Sequence, residues 1–414
     1  MVITRATRRV PDQPCSDCLD RPAAPGGRPA APRRAAFWLV ALVLTATMMG
    51  TTLPTPLYVI YQVRWHFSAA MVTVTFAVYA AGVLAALLLA GRASDKAGRR
   101  PVLGVALGAS ALSTVLFILT PDLGALIAAR VVSGLSAGLM TGTATATLTE
   151  LIPAGRRASL VATVANMGGL GLGPLVAGLF AQYAPHPTTL VFEVYLAVLA
   201  VAGLCLLLVP ETVRQRQRPA LRLAGLALPE RGRGEFAAAA AAGFAAFSLL
   251  GLFSALAPTF LGSVLHQNSH AFQGAVVFLP LAVGAITQIS LFRLPSRPVV
   301  LVGLGLFLAA LALIVAALAQ AALTLFLAGT VVGGVAVGAV FLGSLATANR
   351  LAPAERRGQV ISGYFAACYC GLIIPVVGVG VASGFIGDFP AVLALSILLA
   401  ILCVFSCTSI RRAL

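Results

Sequence analysis

A chain of 414 residues in which 59% are hydrophobic and only 10% charged, with a mean hydropathy of +0.98, is not a soluble globular domain. Its net charge of +16 raises nucleic acid as a partner, but the basic residues are scattered through short loops between apolar runs, so nucleic acid is excluded and a membrane-topology signal explains them better. The fold class is therefore all-α, a polytopic membrane protein whose first partner is the lipid bilayer.

Residues 1–35 are rich in Pro, Ala, Gly and Arg, contain no apolar core that could serve as a signal peptide, and read as a disordered tail. Cys15 and Cys18 in that tail form a lone C-x-x-C with no second pair, and the other five cysteines lie in apolar runs where they pack as small side chains. No metal and no cofactor is expected. Apolar runs of spanning length then follow at 36–60, 69–91, 101–120, 123–149, 158–183 and 188–209, and again at 236–262, 271–292, 298–319, 321–349, 358–386 and 389–409. Twelve spans result, with the tightest turn around Ala319 to Leu323.

Of the 28 Lys and Arg residues, all but Arg64 and Arg130 fall on one side of this layout. Basic loops stay cytoplasmic, so both termini are expected in the cytoplasm, the chain in the inner (plasma) membrane, and the number of spans even. Glu150-Leu-Ile-Pro153-Ala-Gly-Arg156-Arg157 recurs as Arg350-Leu-Ala-Pro353-Ala-Glu-Arg356-Arg357 at an offset of 200 residues, each copy leading a span with a Gly/Pro break. A duplication follows: six helices over 36–209, a cytoplasmic central loop over 210–235 and six helices over 236–414, with a transport path expected between the halves.

Between spans 2 and 3 runs Gly91-Arg92-Ala93-Ser94-Asp95-Lys96-Ala97-Gly98-Arg99-Arg100, too polar for hydrocarbon and too short to fold alone. Gly91 and Gly98 suit the turn, Asp95 suits a helix N-terminus or an arginine, and Lys96, Arg99 and Arg100 suit acidic partners or lipid phosphates. This decapeptide resembles the signature loop of the major facilitator superfamily. That resemblance implies a gating loop that packs against the start of span 11, near Gly358 to Ser362, when the cytoplasmic side shuts. Glu150 with Arg157 resembles the family's cytoplasmic Glu/Arg pattern, which implies a charge network pairing Glu150 with Arg99 or Arg100. Pro210-Glu211-Thr212 resembles a further family feature.

Gly169, Gly173, Pro174 and Gly178 in span 5 are similar to the glycine-proline motif of the family's proton-driven drug exporters, with Ala177 replacing one glycine. Small residues there admit a neighbouring helix, and Pro174 removes a backbone hydrogen bond. Arg130 resembles the family's intramembrane arginine. A guanidinium stays charged and is costly in hydrocarbon, so it should face a water-filled cavity, meet a carboxylate or snorkel outward. Glu193 is the one acidic residue well inside a span, either a proton carrier or an exposed residue near a helix start.

The resemblance implies a secondary transporter, not an enzyme, working as a monomer and exporting a small amphipathic substrate in exchange for protons, with Arg130 and Glu193 as coupling or substrate candidates. Uptake of a sugar or metabolite by symport or uniport is the alternative within transport, and a non-transporting membrane sensor the alternative outside it.

Overall fold

The computed structural model describes residues 32–90, 93–152, 156–213, 227–353 and 356–412. The tail with Cys15 and Cys18, Gly91 and most of the central loop lie outside these residues. Among the described residues, twelve helices long and apolar enough to span a bilayer run in chain order. They are α1 (Arg33–Thr52), α2 (Ala69–Ala90), α3 (Arg99–Leu119), α4 (Leu123–Leu151), α5 (Arg156–Tyr183) and α6 (Pro187–Leu208), then α7 (Arg233–Ala255), α8 (His270–Leu291), α9 (Ser296–Gln320), α10 (Leu323–Leu351), α11 (Arg357–Ile386) and α12 (Asp388–Arg412). Backbone polar groups have no water partners in hydrocarbon, so a chain this apolar satisfies them within helices.

Two spans end earlier than the sequence suggests. The run expected at 36–60 stops at Thr52, turns over Leu53 to Leu57 and resumes as a short helix, Tyr58–Trp65. The run expected at 236–262 stops at Ala255 and resumes as Ala257–Ser263. Pro54 and Pro56 break the first, and Pro258 opens the second short helix where a missing N–H costs nothing. Hydropathy continues through both breaks and hides them. The turn between α9 and α10 is as tight as expected: Ala321 alone takes a left-handed conformation, φ 49°, and α10 starts at Leu323.

The helices form two six-helix bundles of matching plan. In the first, α4 packs on α2 and α3 and α1 packs on α5; in the second, α10 packs on α8 and α9 and α7 packs on α11. Between bundles, α5 meets α8 and α2 meets α11. The duplication reaches into the proline helices. Pro174 and Pro375 lie inside α5 and α11, and a proline cannot donate to the carbonyl four residues earlier, here Leu170 and Gly371. Thr52 Oγ1 at the end of α1 donates to the Leu170 carbonyl at 2.7 Å, and Ser248 Oγ of α7 donates to the Gly371 carbonyl at 2.9 Å. One repair thus serves both halves.

Thr52→Val keeps the shape of the side chain and orphans the Leu170 carbonyl. A buried polar group left unpaired costs about 1–3 kcal/mol, and hydrogen bonds between membrane helices sit near the low end. The variant is expected to melt earlier in detergent by about 1 kcal/mol of stability, while Thr52→Ser matches the parent. An unchanged midpoint for Thr52→Val would mean that water takes over the carbonyl.

Candidate functional site

A cavity of about 410 Å³ lies between the two bundles. Both bundles give it apolar side chains, among them Phe76 and Tyr79 from the first, but its polar groups lie mostly on the first bundle, the second adding Ser254 and Asn349. From the first bundle come the hydroxyls and amide of Thr52, Thr141, Thr145, Ser159, Thr163 and Asn166, with Asn166 Nδ2 donating to Thr141 Oγ1 at 3.0 Å. From the second come Phe247, Phe341, Phe365 and Tyr369, backed by leucines. The rings form one packed cluster of tilted and edge-on pairs, with centroids 5.7 Å apart for Phe247–Phe341 and 5.5 Å for Phe247–Tyr369. Among the described residues that line the cavity there is no Asp, Glu, His, Lys or Arg.

The cavity runs toward the end of the molecule where the arginine-rich loops lie, reaching Ser159 near the start of α5 and Asn349 near the end of α10. At the opposite end the bundles touch. There a methyl group on Gly178 of α5 would stand 2.6 Å from the His270 carbonyl and 3.0 Å from Gly274 Cα of α8, and one on Gly274 would stand 2.3 Å from the Pro174 carbonyl. Gln182 adds a bond, its Oε1 accepting from the His270 backbone at 3.0 Å. On the other flank Gly380 of α11 closes on Thr73 of α2. The helix-5 motif therefore faces two ways: Gly169 and Gly173 abut α1 at Thr45 and Met49, while Pro174 and Gly178 form the seal against α8.

Among the described residues, Arg130 is not a lining residue of the cavity and has no carboxylate partner, and it does not snorkel. Its side chain is wholly buried, with Nε donating to the Tyr58 hydroxyl and Nη1 to the Thr51 carbonyl. The rings of Tyr58, Tyr79 and Phe117 stand 5.2, 5.4 and 5.9 Å from its Cζ. The quadrupole of each ring offers a cation negative charge that hydrocarbon lacks, which is how the guanidinium is held without an acid. Tyr79 separates it from the cavity, which Tyr79 lines. Glu193 takes the second of its two expected places: it is exposed near the start of α6, whose buried face includes Val191, Tyr195, Leu199 and Ala202, and α6 lends the cavity none of its described residues.

The signature loop folds as a five-residue helix, Ala93–Ala97, and then Gly98 takes φ 101°, a value that needs glycine. Asp95 is half-exposed and pairs with Arg99 one turn on, at 2.6 Å, rather than with α11. Arg99 also binds Glu150 through Nη2 at 2.7 Å and Nε at 3.1 Å, and donates to Ser94 Oγ. Glu211 completes the cluster: its carboxylate accepts from the backbone N–H of Arg99 at 2.8 Å and of Arg100 at 3.3 Å, capping α3. Arg100 Nη2 donates to the Leu207 carbonyl at the end of α6, and Thr212 Oγ1 donates to Glu150. Lys96 is half-buried, and Arg157 is exposed and, among the described residues, apart from this cluster. The residue that the sequence left without a role is thus Glu211, which ties the exit of α6 to the entry of α3.

The family model described as Major Facilitator Superfamily matches residues 40–294. Among curated relatives, a triacylglyceride transporter of Mycolicibacterium hassiacum is 32% identical over 126 residues, 30% of this chain and 23% of that protein. An uncharacterized MFS-type transporter of Mycobacterium tuberculosis is 34% identical over 140 residues, 33% of this chain and 23% of that protein. The match thus spans under a quarter of the length of either relative. Among solved structures, the human organic anion transporter MFSD10 aligns over 91% of this chain and 100% of its own with a TM-score of 0.68 at 18% identity. A bacterial homolog of the human lysosomal transporter Spinster, solved inward-facing and unoccupied, aligns over 93% and 98% with a TM-score of 0.69 at 15% identity. With the family match covering more than half the sequence and this fold around a central cavity, the chain belongs to the major facilitator superfamily, a family of membrane transporters rather than enzymes.

Proposed function

We propose that the protein exports small uncharged amphiphiles across the plasma membrane by alternating access, its halves 36–209 and 236–414 rocking as two units about the cavity. The wall chemistry carries this reading. An ionised substrate in a site without a counter-charge would lose its hydration for no partner, at a cost of several kcal/mol. A neutral compound loses little, gaining about 25 cal/mol per Å² of apolar surface covered by the aromatic wall while its few polar groups meet the hydroxyls opposite. The relatives named triacylglyceride transporters agree with an apolar cargo, and the resemblance of the helix-5 motif to exporters supports the direction.

The charge asymmetry of the loops supports placing the arginine-rich face and both termini in the cytoplasm. On that reading the structure is the inward-facing state of a monomer, and Gly178 and Gly274 form the outer gate. Asp95, Arg99, Glu150 and Glu211 then hold α2, α3, α4 and α6 together as one moving body, with Gly98 giving the turn its shape. Proton exchange as the energy source rests on the family resemblance alone. Neither Arg130 nor Glu193 lines the cavity, so proton and substrate do not compete for one site there. Uniport is the second reading, favoured by the lack of carboxylates and histidines among the described lining residues.

Flux of a neutral fluorescent amphiphile into liposomes holding the purified protein tests both. Saturable flux at least about tenfold above that of a cationic analogue of equal size is expected. Acceleration by an imposed pH gradient would favour antiport, and equal flux with and without it uniport. Preference for the ionised analogue would sink the cargo assignment.

A further inference from the structure

Beside the central cavity lies a second space of about 160 Å³. Four of its residues, Ser159, Thr163, Leu345 and Asn349, also line the central cavity, so the two spaces meet along a shared wall. Its remaining border lies at the junction of the bundles: Leu160 on α5, Gln288 and Phe292 at the end of α8, Ser296 and Val299 at the start of α9, and Leu342 on α10. We infer, on the cargo and orientation proposed above, that this space is a lateral portal through which an acyl-chain amphiphile passes between the cytoplasmic leaflet and the cavity.

The helices make the opening. α5 and α8 are pinned together at the far end by the contact of Gly178 with Gly274, and nearer the arginine-rich face Gln288 Nε2 donates to Met167 Sδ, both side chains buried. Beyond that bond lies the second space, with Ser159, Leu160 and Thr163 of α5 on one side and Phe292 after α8 on the other. It sits at the depth of lipid headgroups. Ser159 is three residues inside α5, Asn349 two from the end of α10, and Ser296 the first residue of α9, which at 1.5 Å per residue is within about 5 Å of the helix ends. Its lining suits that depth, mixing Ser159, Thr163, Ser296 and Asn349 with Leu160, Val299 and Leu342. Arg293, exposed and stacked on Phe292 at 5.4 Å, stands beside the mouth where lipid phosphates lie.

The energetics favour this route for a chain-bearing cargo. Drawing an acyl chain into water costs about 0.8 kcal/mol per methylene, so ten methylenes cost about 8 kcal/mol, whereas a side opening never exposes the chain. From the mouth, hydroxyls and amides form a continuous path for the head: Ser296 and Asn349, then Ser159 and Thr163, then Asn166 and Thr141 deeper in the cavity.

Photolabelling tests the portal without needing turnover. The protein is placed in phosphatidylethanolamine/phosphatidylglycerol vesicles holding a long-chain diacylglycerol with a diazirine in one chain, or a short-chain, water-soluble analogue bearing the same group. The long-chain probe is expected to label Leu160 and Leu342, and Phe341 and Phe365 within the cavity, above the lipid-facing control Ile286. Leu342→Trp, or Leu160→Trp if the first folds poorly, should cut long-chain labelling of the cavity at least about tenfold and leave short-chain labelling unchanged. Undiminished long-chain labelling of the cavity in both Trp variants, or portal labelling no higher than at Ile286, overturns the proposal. The cargo reading fails separately if neither probe labels the parent's cavity while Leu160 and Leu342 are labelled, a result that keeps the opening as a lipid site.

Discussion

Gly178→Leu is expected to abolish closure of the end opposite the arginine-rich face and to reduce transport at least about tenfold, with Gly178→Ala giving a partial version of the same defect. A side chain at this position must displace backbone, since even a methyl would lie 2.6 Å from the His270 carbonyl and 3.0 Å from Gly274 Cα. Overpacking of this kind costs about 1–3 kcal/mol. The cost falls only on the state in which α5 and α8 touch, so it appears as a shift of the conformational ratio by about 5-fold to 150-fold rather than as loss of fold. A cysteine at Leu281, a buried cavity residue, reports this shift in a background without other cysteines. Its labelling by an impermeant thiol reagent from the sealed side should rise in both variants. Gly274→Ala meets the same contact from the other helix, 2.3 Å from the Pro174 carbonyl, so combining it with Gly178→Ala should cost less than the sum. Unchanged Leu281→Cys labelling and unchanged flux in Gly178→Leu would show that this contact is not a gate.

What the sequence made legible is what hydropathy, charge and local residue type determine. The twelve spans, the tight α9–α10 turn at Ala321 and the positive φ of Gly98 belong to that class. The breaks after Thr52 and Ala255 were hidden because apolar residues continue through them, yet Pro54, Pro56 and Pro258 were there to be read. Glu193 was legible too. Val191, Tyr195, Leu199 and Ala202 repeat at helical spacing and fix a buried face that leaves Glu193 outside. The cap on α3 was not legible, because Glu211 reaches it from 112 positions away and Asp95, five residues from Arg100, was the nearer acid. The walls of the cavity were hidden for the same reason. Thr141 and Asn166, or Phe247 and Phe341, are ordinary membrane-helix residues until the bundles bring them face to face. The surroundings of Arg130 were the furthest from reach, since its three rings come from three different stretches of the chain.

Those surroundings set the second large effect, expected for Arg130→Ala. Truncation leaves the Tyr58 hydroxyl and the Thr51 carbonyl without their donor in a region closed to water, removes three cation–π contacts and opens a void as large as the lost side chain. Cation–π contacts in a desolvated site contribute about 2 kcal/mol, hydrogen bonds from a charged donor about 1.5–3 kcal/mol, and such terms overlap when they share one group. A loss of about 3–5 kcal/mol of stability is expected, seen as an early thermal transition in detergent. Arg130→Lys separates charge from shape. An ammonium keeps the charge, but it is a point donor that lacks the planar fork and cannot serve Tyr58 and Thr51 as the guanidinium does. The lysine variant should therefore lose about 1–3 kcal/mol and, because Tyr79 lies between this residue and the cavity, transport with lower apparent affinity for the amphiphile. Because Arg130 stands behind Tyr79 and outside the cavity, the pH profile of whatever flux remains should keep the parent's shape. A displaced pH profile in Arg130→Lys would place Arg130 in the proton path instead, and full stability of Arg130→Ala would show that the aromatic cage does not depend on the charge it surrounds.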